Sequence, residues 1–333
     1  METKEFYLAS RPAGMPDASN FRMDEVELPK LKSGEVLLKA LYISVDPYMR
    51  GRMNDKESYI KPFKIDEPIE GGVVAEVVDS MSSILDRGDK VTGMLPWATF
   101  IVSKDNNVHK IEEMAGIPLS YYLGILGLTG LTAYFGVMKI CNPKAGETLV
   151  VSGAAGAVGM VVGQIAKILG CSVIGIVGSD DKAKILIDKY GFDKVINYKT
   201  ATDMKQAVKE ACPHGVDCYF DNVGGDISDA VIGNINFDAR IAICGQIAMY
   251  NDDKLAFGVR ILPDILVHSA LIQGFIVNKY QKEFPEALKQ LTEWLKEGRL
   301  HTTETVVEGF EKLPDAFLGL FKGVNIGKMI VKV

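Results

Sequence analysis

From residue 149 onward the chain alternates short apolar runs with amphipathic stretches at helical spacing. Leu149-Val150-Val151-Ser152 reads as a buried strand, runs directly into Gly153-Ala154-Ala155-Gly156-Ala157-Val158-Gly159, and continues as a helix over Met160 to Leu169. The rhythm then repeats. Ser172 to Val177 predicts a second strand and Asp180 to Tyr190 a helix; Val195 to Tyr198 predicts a third strand and Met204 to Ala211 a helix. Asp217 to Asn222 follows as a strand, then a helix around Ile227 to Ile235, a strand over Arg240 to Cys244, and a sixth strand over Leu271 to Val277. Strands separated by crossover helices imply a parallel sheet. With one glycine-rich turn after the first strand, the prediction is an α/β, doubly wound Rossmann sheet with ligand contacts at the carboxyl ends of its strands.

The first 120 or so residues have a different texture. Val36 to Ile43, Val73 to Val78, Val91 to Met94 and Phe100 to Ser103 look like short strands between Gly, Pro and Asp turns, as in a small all-β domain. The glycine-spaced apolar segment within Ala115 to Met138 predicts helices leading into the parallel sheet. Beyond the sixth strand, Lys282 to Glu297 is an amphipathic helix stopped at Gly298, and Thr305 to Glu308 and Lys328 to Val333 return to the texture of the first segment.

Composition narrows the function. No apolar stretch is long enough to span a bilayer, and Met1-Glu2-Thr3-Lys4-Glu5 has no apolar core behind it, so neither a membrane anchor nor a signal peptide is expected. A net charge of -6 offers no footprint for nucleic acid. Five cysteines without a CxxC pair point to a reducing, cytoplasmic setting, and four scattered histidines show no metal-ligand spacing, so no metal is expected. Cys244 ends an apolar strand with no histidine close in sequence and reads as a small packing residue.

The glycine turn carries the chemistry. Backbone N–H groups at Gly156, Ala157, Val158 and Gly159, backed by a helix N-terminus, suit a dinucleotide pyrophosphate. Some 20 residues on, where an NAD enzyme places a carboxylate for the ribose 2′-hydroxyl, the chain reads Gly178-Ser179-Asp180-Asp181-Lys182. Gly178 leaves room and Lys182 brings a cation for a 2′-phosphate, which favours NADP(H). The competing reading of Lys182 is a solvated residue in a first helical turn, where Asp180 and Asp181 suit the dipole.

Stretches spread over the whole chain resemble, in order, the zinc-free medium-chain dehydrogenase/reductase family, specifically the prostaglandin reductase (leukotriene hydroxydehydrogenase) group and its bacterial NADP-dependent relatives. They are Ser44-Val45-Asp46-Pro47-Tyr48-Met49-Arg50, the run 127–134, the glycine turn 154–159, the run 178–182, Asn197-Tyr198-Lys199, the run 219–225, Ile243-Cys244-Gly245 and Asn325-Ile326-Gly327-Lys328. The resemblance implies a GroES-like β domain from residues 1–122 and the return segment 300–333, around a Rossmann NADP-binding domain over 123–299. Zinc alcohol dehydrogenases of this fold carry a cysteine ligand near Ser44 and a Gly-His-Glu motif near Pro68-Ile69-Glu70-Gly71-Gly72, where this chain has no histidine. Without a Lewis acid to hold an alkoxide, hydride addition to the β-carbon of an activated alkene is the better reaction, because the resulting enolate needs only hydrogen-bond donors.

Carried over residue by residue, the resemblance implies Lys182 and Tyr198 at the 2′-phosphate and Asn222 at the nicotinamide-side ribose. It implies Cys244, Gly245, Gln246 and Ile247 with Phe275, Ile276 and Val277 along the nicotinamide, and Asn325 reaching in from the tail. Tyr250 matches the tyrosine facing the substrate carbonyl; its alternative is a tyrosine packed at a domain junction. Tyr48 is a further substrate-pocket candidate, or part of a structural turn whose Arg50 makes an internal ion pair. Three activities follow for comparison: NADPH-dependent reduction of enones or enals, NADPH-dependent quinone reduction, and a cofactor-binding protein without turnover. A homodimer paired along the sixth strand is expected from the fold.

Overall fold

The computed structural model of the chain describes residues 1–254 and 257–333. Strands β1 (Glu2–Leu8), β2 (Phe21–Glu27), β3 (Glu35–Ser44), β4 (Glu70–Ser80), β5 (Lys90–Pro96), β6 (Phe100–Lys104) and β7 (Val108–Lys110) come first, with the one-turn helix α1 (Met49–Arg52) after β3. Helix α2 (Leu128–Phe135) and a π-helical turn (Gly136–Cys141) lead into β8 (Thr148–Ser152), α3 (Ala157–Ile168), β9 (Ser172–Val177), α4 (Asp180–Tyr190), β10 (Lys194–Asn197) and α5 (Met204–Ala211). Then come β11 (Val216–Asp221), α6 (Gly225–Ile232), β12 (Ile235–Ile243), α7 (Leu262–Val267), β13 (Leu271–Gly274), α8 (Phe284–Lys296), β14 (Glu304–Glu308), α9 (Leu313–Lys322) and β15 (Lys328–Lys332). Two compact units result. The first comprises Met1–Gly124, Glu304–Asn325 and Met329–Val333, the second Ile125–Thr303 and Ile326–Lys328.

The first unit is built on a sheet of order β14-β15-β3-β4-β5-β7, with β6 also paired to β3. In β3 the period of two is visible as burial, since Val36, Leu38 and Ala40 are inside while Lys39 faces solvent. Phe6, Trp97 and Phe317 meet edge-on at the centre of its core. The second unit holds a parallel sheet of order β10-β9-β8-β11-β12-β13. Every residue of β8 is buried, which explains why its centre, Leu149-Val150-Val151, is continuously apolar rather than alternating. The chain leaves β8 toward β9 and β10 on one side and resumes at β11 on the other. This reversal of strand order is where a doubly wound sheet opens a ligand crevice.

Three expectations need correction. Helix α6 stops at Ile232, where the Gly233 N–H closes back on the Asp229 carbonyl, so β12 begins at Ile235, well before Arg240, and passes through a left-handed Asp238 (φ 58°). The sixth strand ends at Gly274; Phe275 to Val277 lie beyond it, and a tight 3-10 segment, Val277–Glu283, precedes α8. The strands β1 and β2 and the helices α7 and α9 were not anticipated. Helix α9 carries Pro314 and Gly319, both helix-breaking residue types, yet the proline sits in the first turn, where no N–H partner is needed. A Cβ at Gly319 would come within 2.9 Å of Val324, so the glycine permits close packing.

Candidate active site

The glycine turn 153–156 runs directly into α3, which begins at Ala157 rather than at Met160 and packs its first turn against the Gly153 carbonyl. A Cβ on Gly159 would lie 2.4 Å from the Gly153 carbonyl oxygen and 2.8 Å from Ala154 Cα, so only glycine fits. Gly156 is the N-cap of the twelve-residue α3 and offers no side-chain cap, and no acidic residue occupies the first turn. That helix end is suited to an anion. The turn is closed from the far end of the chain: the Gly327 N–H donates to the Ala155 carbonyl at 2.7 Å. Gly327 is left-handed (φ 67°), and a Cβ there would collide with the Thr303 carbonyl at 1.8 Å.

At the end of β9, Gly178 lies under the ring of Tyr198, whose hydroxyl would be 2.9 Å from a Cβ at that position. Ser179 caps α4 by accepting the Lys182 N–H, and Asp180 is engaged by the Asn197 amide at 2.7 Å. Partial burial, and then the charge of Lys199, push the Lys182 ammonium below its ordinary pKa. Two lysines close enough to repel, beside a glycine floor and a phenol, form a site that an oxyanion would relieve. Among the described residues, the structure brings Gly178 and Tyr198 into contact and sets Lys182 within electrostatic reach of Lys199, which was missed as a second cation.

The ends of β11, β12 and β13 form the other half. A pocket of about 520 Å³ is lined by Cys244, Gly245, Gln246, Tyr250, Phe275 and Ile276, together with Lys279 at an exposed position. Phe275 is fixed edge-on against Phe220, with ring centroids 6.2 Å apart, over Gly136, where a Cβ would strike both rings. Burial pushes the Cys244 thiol up to about 12, helped by the negative charge of Asp221, so it is protonated at neutral pH and no nucleophile. The Tyr250 hydroxyl oxygen accepts the Gln246 backbone N–H at 3.2 Å. Burial raises its pKa, that N–H partly offsets the rise, and Cys244 and Asp221 add to it. The group is therefore a neutral phenol with its own proton to give. Asn222 anchors to strand β8, its amide donating to the Ser152 carbonyl at 2.8 Å and its N–H to the Ser152 hydroxyl at 2.9 Å.

Asp221 was missed, although an aspartate closing the apolar run Cys218-Tyr219-Phe220 is a sequence signal in itself. It is completely buried and its carboxylate accepts from Ser152, Tyr219, Ser228, Gln246 and the N–H groups of Val223 and Gly224.

In the first unit, Tyr48 precedes α1 and is largely enclosed; burial, reinforced by Asp46, drives its phenol well above its ordinary pKa. Ser44 donates a very short hydrogen bond to Asp46. Arg50 is buried and donates to Asn54 at 2.7 Å and to the Gly14 carbonyl at 2.8 Å, which ties the turn together from within. Asn325 belongs to this unit. A Cβ at Gly71 would meet Trp97 Nε1 at 2.8 Å and Met49 at 3.3 Å, and one at Gly72 would meet Leu123 at 3.3 Å. Neither position can take a larger ligating side chain without repacking, and no cluster of three His, Cys, Asp or Glu able to hold a metal occurs among the described residues. A second cavity of about 450 Å³, bordered by Glu35, Glu70 and Lys104, contains none of the candidate residues.

Residues 4–111 match the family described as the N-terminal domain of oxidoreductase, and residues 157–293 the family described as zinc-binding dehydrogenase. The residues around Ser44 and Gly71 do not fit the zinc that the second description implies. Among the most similar relatives, prostaglandin reductase 1 of Bos taurus is 46% identical over 337 residues, covering 100% of this chain and 99% of its own. The NADP(+)-dependent 2-alkenal reductase of Nicotiana tabacum is 42% identical over 339 residues, covering 100% and 98%. Among solved structures, CurA of Vibrio vulnificus in complex with NADPH superposes with a TM-score of 0.94 at 41% identity, covering 99% of both chains.

Proposed function

The chain belongs to the zinc-free medium-chain dehydrogenase/reductase family, and from that premise we propose that it is an NADPH-dependent reductase of the C=C bond of α,β-unsaturated ketones and aldehydes. The observation that carries this reading is Tyr250. Its oxygen already accepts a backbone N–H, so among the described residues the phenol proton is left as a donor at the edge of an apolar pocket. When bound, NADPH supplies the hydride that goes to the substrate β-carbon.

Each residue then has a part. The turn over Gly156 to Gly159 and the start of α3 bind the pyrophosphate, while Gly178, Lys182 and Tyr198 bind the 2′-phosphate. Asn222 holds the ribose, and Cys244 to Ile247 and Phe275 to Val277 orient the nicotinamide ring, with Asn325 as a further contact. Tyr250 donates a hydrogen bond to the carbonyl oxygen as it becomes an enolate oxygen, and Tyr48 is a further substrate contact. Solvent protonates the α-carbon. A neutral donor suffices because the enolate charge is delocalised, and loss of such a donor costs about 2.7–4 kcal/mol of transition-state stabilisation at most. The working form is a homodimer, in a reducing, cytoplasmic compartment that suits five unpaired thiols.

The test is a label. With NADPH deuterated at the transferred position and a simple enone, deuterium is expected at the β-carbon of a saturated ketone, and saturated ketones should not react. Deuterium at the carbonyl carbon of an allylic alcohol would overturn the mechanism. Activity is expected to survive exhaustive chelation, and a one-electron product from quinones, read as oxygen uptake during turnover, would favour quinone reduction instead.

A further inference from the structure

We propose that Asp221 is a positioning residue for the reaction: through Gln246 it holds Tyr250 with its hydroxyl proton facing the substrate. The inference rests on the role of Tyr250 given above and adds the part of the molecule that enforces it. Asp221 ends β11 with no exposed surface. One carboxylate oxygen accepts from the Ser152 hydroxyl (2.9 Å), the Tyr219 hydroxyl (2.8 Å) and the N–H groups of Val223 (2.9 Å) and Gly224 (3.0 Å). The other takes the Ser228 hydroxyl and the Gln246 side-chain amide, the latter at 2.9 Å. The same Gln246 nitrogen donates to the Gly245 carbonyl at 2.9 Å.

These contacts dictate which way the glutamine faces. Its NH2 must point to two acceptors at once, Asp221 and the Gly245 carbonyl, so the amide cannot flip. Its Oε1 faces Gly224, where a Cβ would approach to 2.3 Å, so the far side is closed as well. The Asp221 backbone carbonyl completes the clamp by accepting the N–H groups of Cys244 (2.8 Å) and Gly245 (3.1 Å). With side chain and preceding backbone both fixed, the Gln246 N–H has one direction left, toward Tyr250 Oη. That bond occupies a lone pair of the phenol and leaves its proton for an external acceptor. Without it, the hydroxyl could rotate its proton into the protein or to water.

The isosteric change D221N separates this role from mere support. The oxygen of the new amide is needed where four donors converge, so its NH2 is forced to the side of Ser228 and Gln246. The serine hydroxyl can turn to accept. The Gln246 NH2 cannot, and donor meets donor. The expected result for D221N is a folded protein with NADPH affinity, read by fluorescence titration, unchanged within about threefold and kcat for an enone lower by about tenfold.

In the apoprotein, hydrogen–deuterium exchange should rise in the peptide over residues 245–250 while β8 and β11 keep their protection. The double variant D221N/Y250F should be no slower than Y250F alone, since both changes remove one donor. Q246A, which cuts the link without touching the buried carboxylate, should reproduce the kinetics and exchange of D221N and serves in its place if D221N does not fold. If Y250F is slow and D221N or Q246A turns over at the wild-type rate, the proposal fails while the reading of Tyr250 stands. If Y250F itself is silent, that reading fails, and the proposal falls with it. Effects of D221N and Y250F that multiply would mark Asp221 as structural and also overturn the proposal.

Discussion

A half-buried lysine with a lowered pKa beside a second lysine is the residue-scale feature on which the proposed recognition of the 2′-phosphate rests. Lys182→Ala should weaken NADPH by roughly 10- to 100-fold, the worth of a charge-assisted contact of about 1.5–3 kcal/mol, and leave NADH nearly unaffected. Titration of both cofactors against both proteins checks this, and equal wild-type affinities would remove its basis. Much at this scale was legible in the chain. Glycines that only glycine can fill announce themselves by spacing, and Gly159 does so for a backbone reason, the approach of the Gly153 carbonyl. Asp221 and Lys199 escaped because their significance lies in what faces them. A buried aspartate is ordinary until six donors from four separate segments are seen to converge on it.

At the scale of elements, strands and helices with one strong periodicity were readable to the residue: β9, α4 and α5 coincide with their expected spans. Strands β1 and β2 were not, because their alternation is carried by a charged face with few large apolar partners. Helix α7 leaves Leu262, Leu266 and Val267 exposed while Ile265 packs inward, so its apolar residues do not mark out one buried face. Between elements, the turn before β8 is tied to β12 by Glu147 and Arg240, whose guanidinium also donates to the Cys141 carbonyl at 2.9 Å. Burial works against the Glu147 charge, but Arg240 and the Lys144 N–H outweigh it, so the carboxyl titrates below its ordinary range. A depressed folded-state pKa means the ion pair stabilises fully above the unfolded value, about 4.3, and ceases to do so as pH falls through the folded value. Glu147→Gln should therefore lower stability by about 1.5–3 kcal/mol at pH 7. Its deficit against the wild type should shrink below about pH 4 in urea unfolding series.

At the scale of the whole molecule, the β13 edge of the parallel sheet stands out for its apolar exposure. Strand β13 ends the parallel sheet with Leu271 half-exposed, and Leu262 and Leu266 of the neighbouring helix α7 are more than two-thirds exposed. An apolar sheet edge of this kind invites pairing, and a second copy related by a two-fold axis would cover it with its own β13. Light scattering should give the mass of two chains, and Leu266→Asp combined with Leu271→Lys should give that of one; a concentration-independent monomer in the wild type would refute the dimer. Another consequence concerns biosynthesis. Gly327 fastens the glycine turn at Ala155, so a segment made early in translation is completed by a residue more than 170 positions later in the chain. A nascent chain arrested short of residue 327 should already protect β8 and β9 yet fail to retain dinucleotide. In that case the parallel sheet and its grip on the dinucleotide mature at separate moments, the second waiting for residue 327.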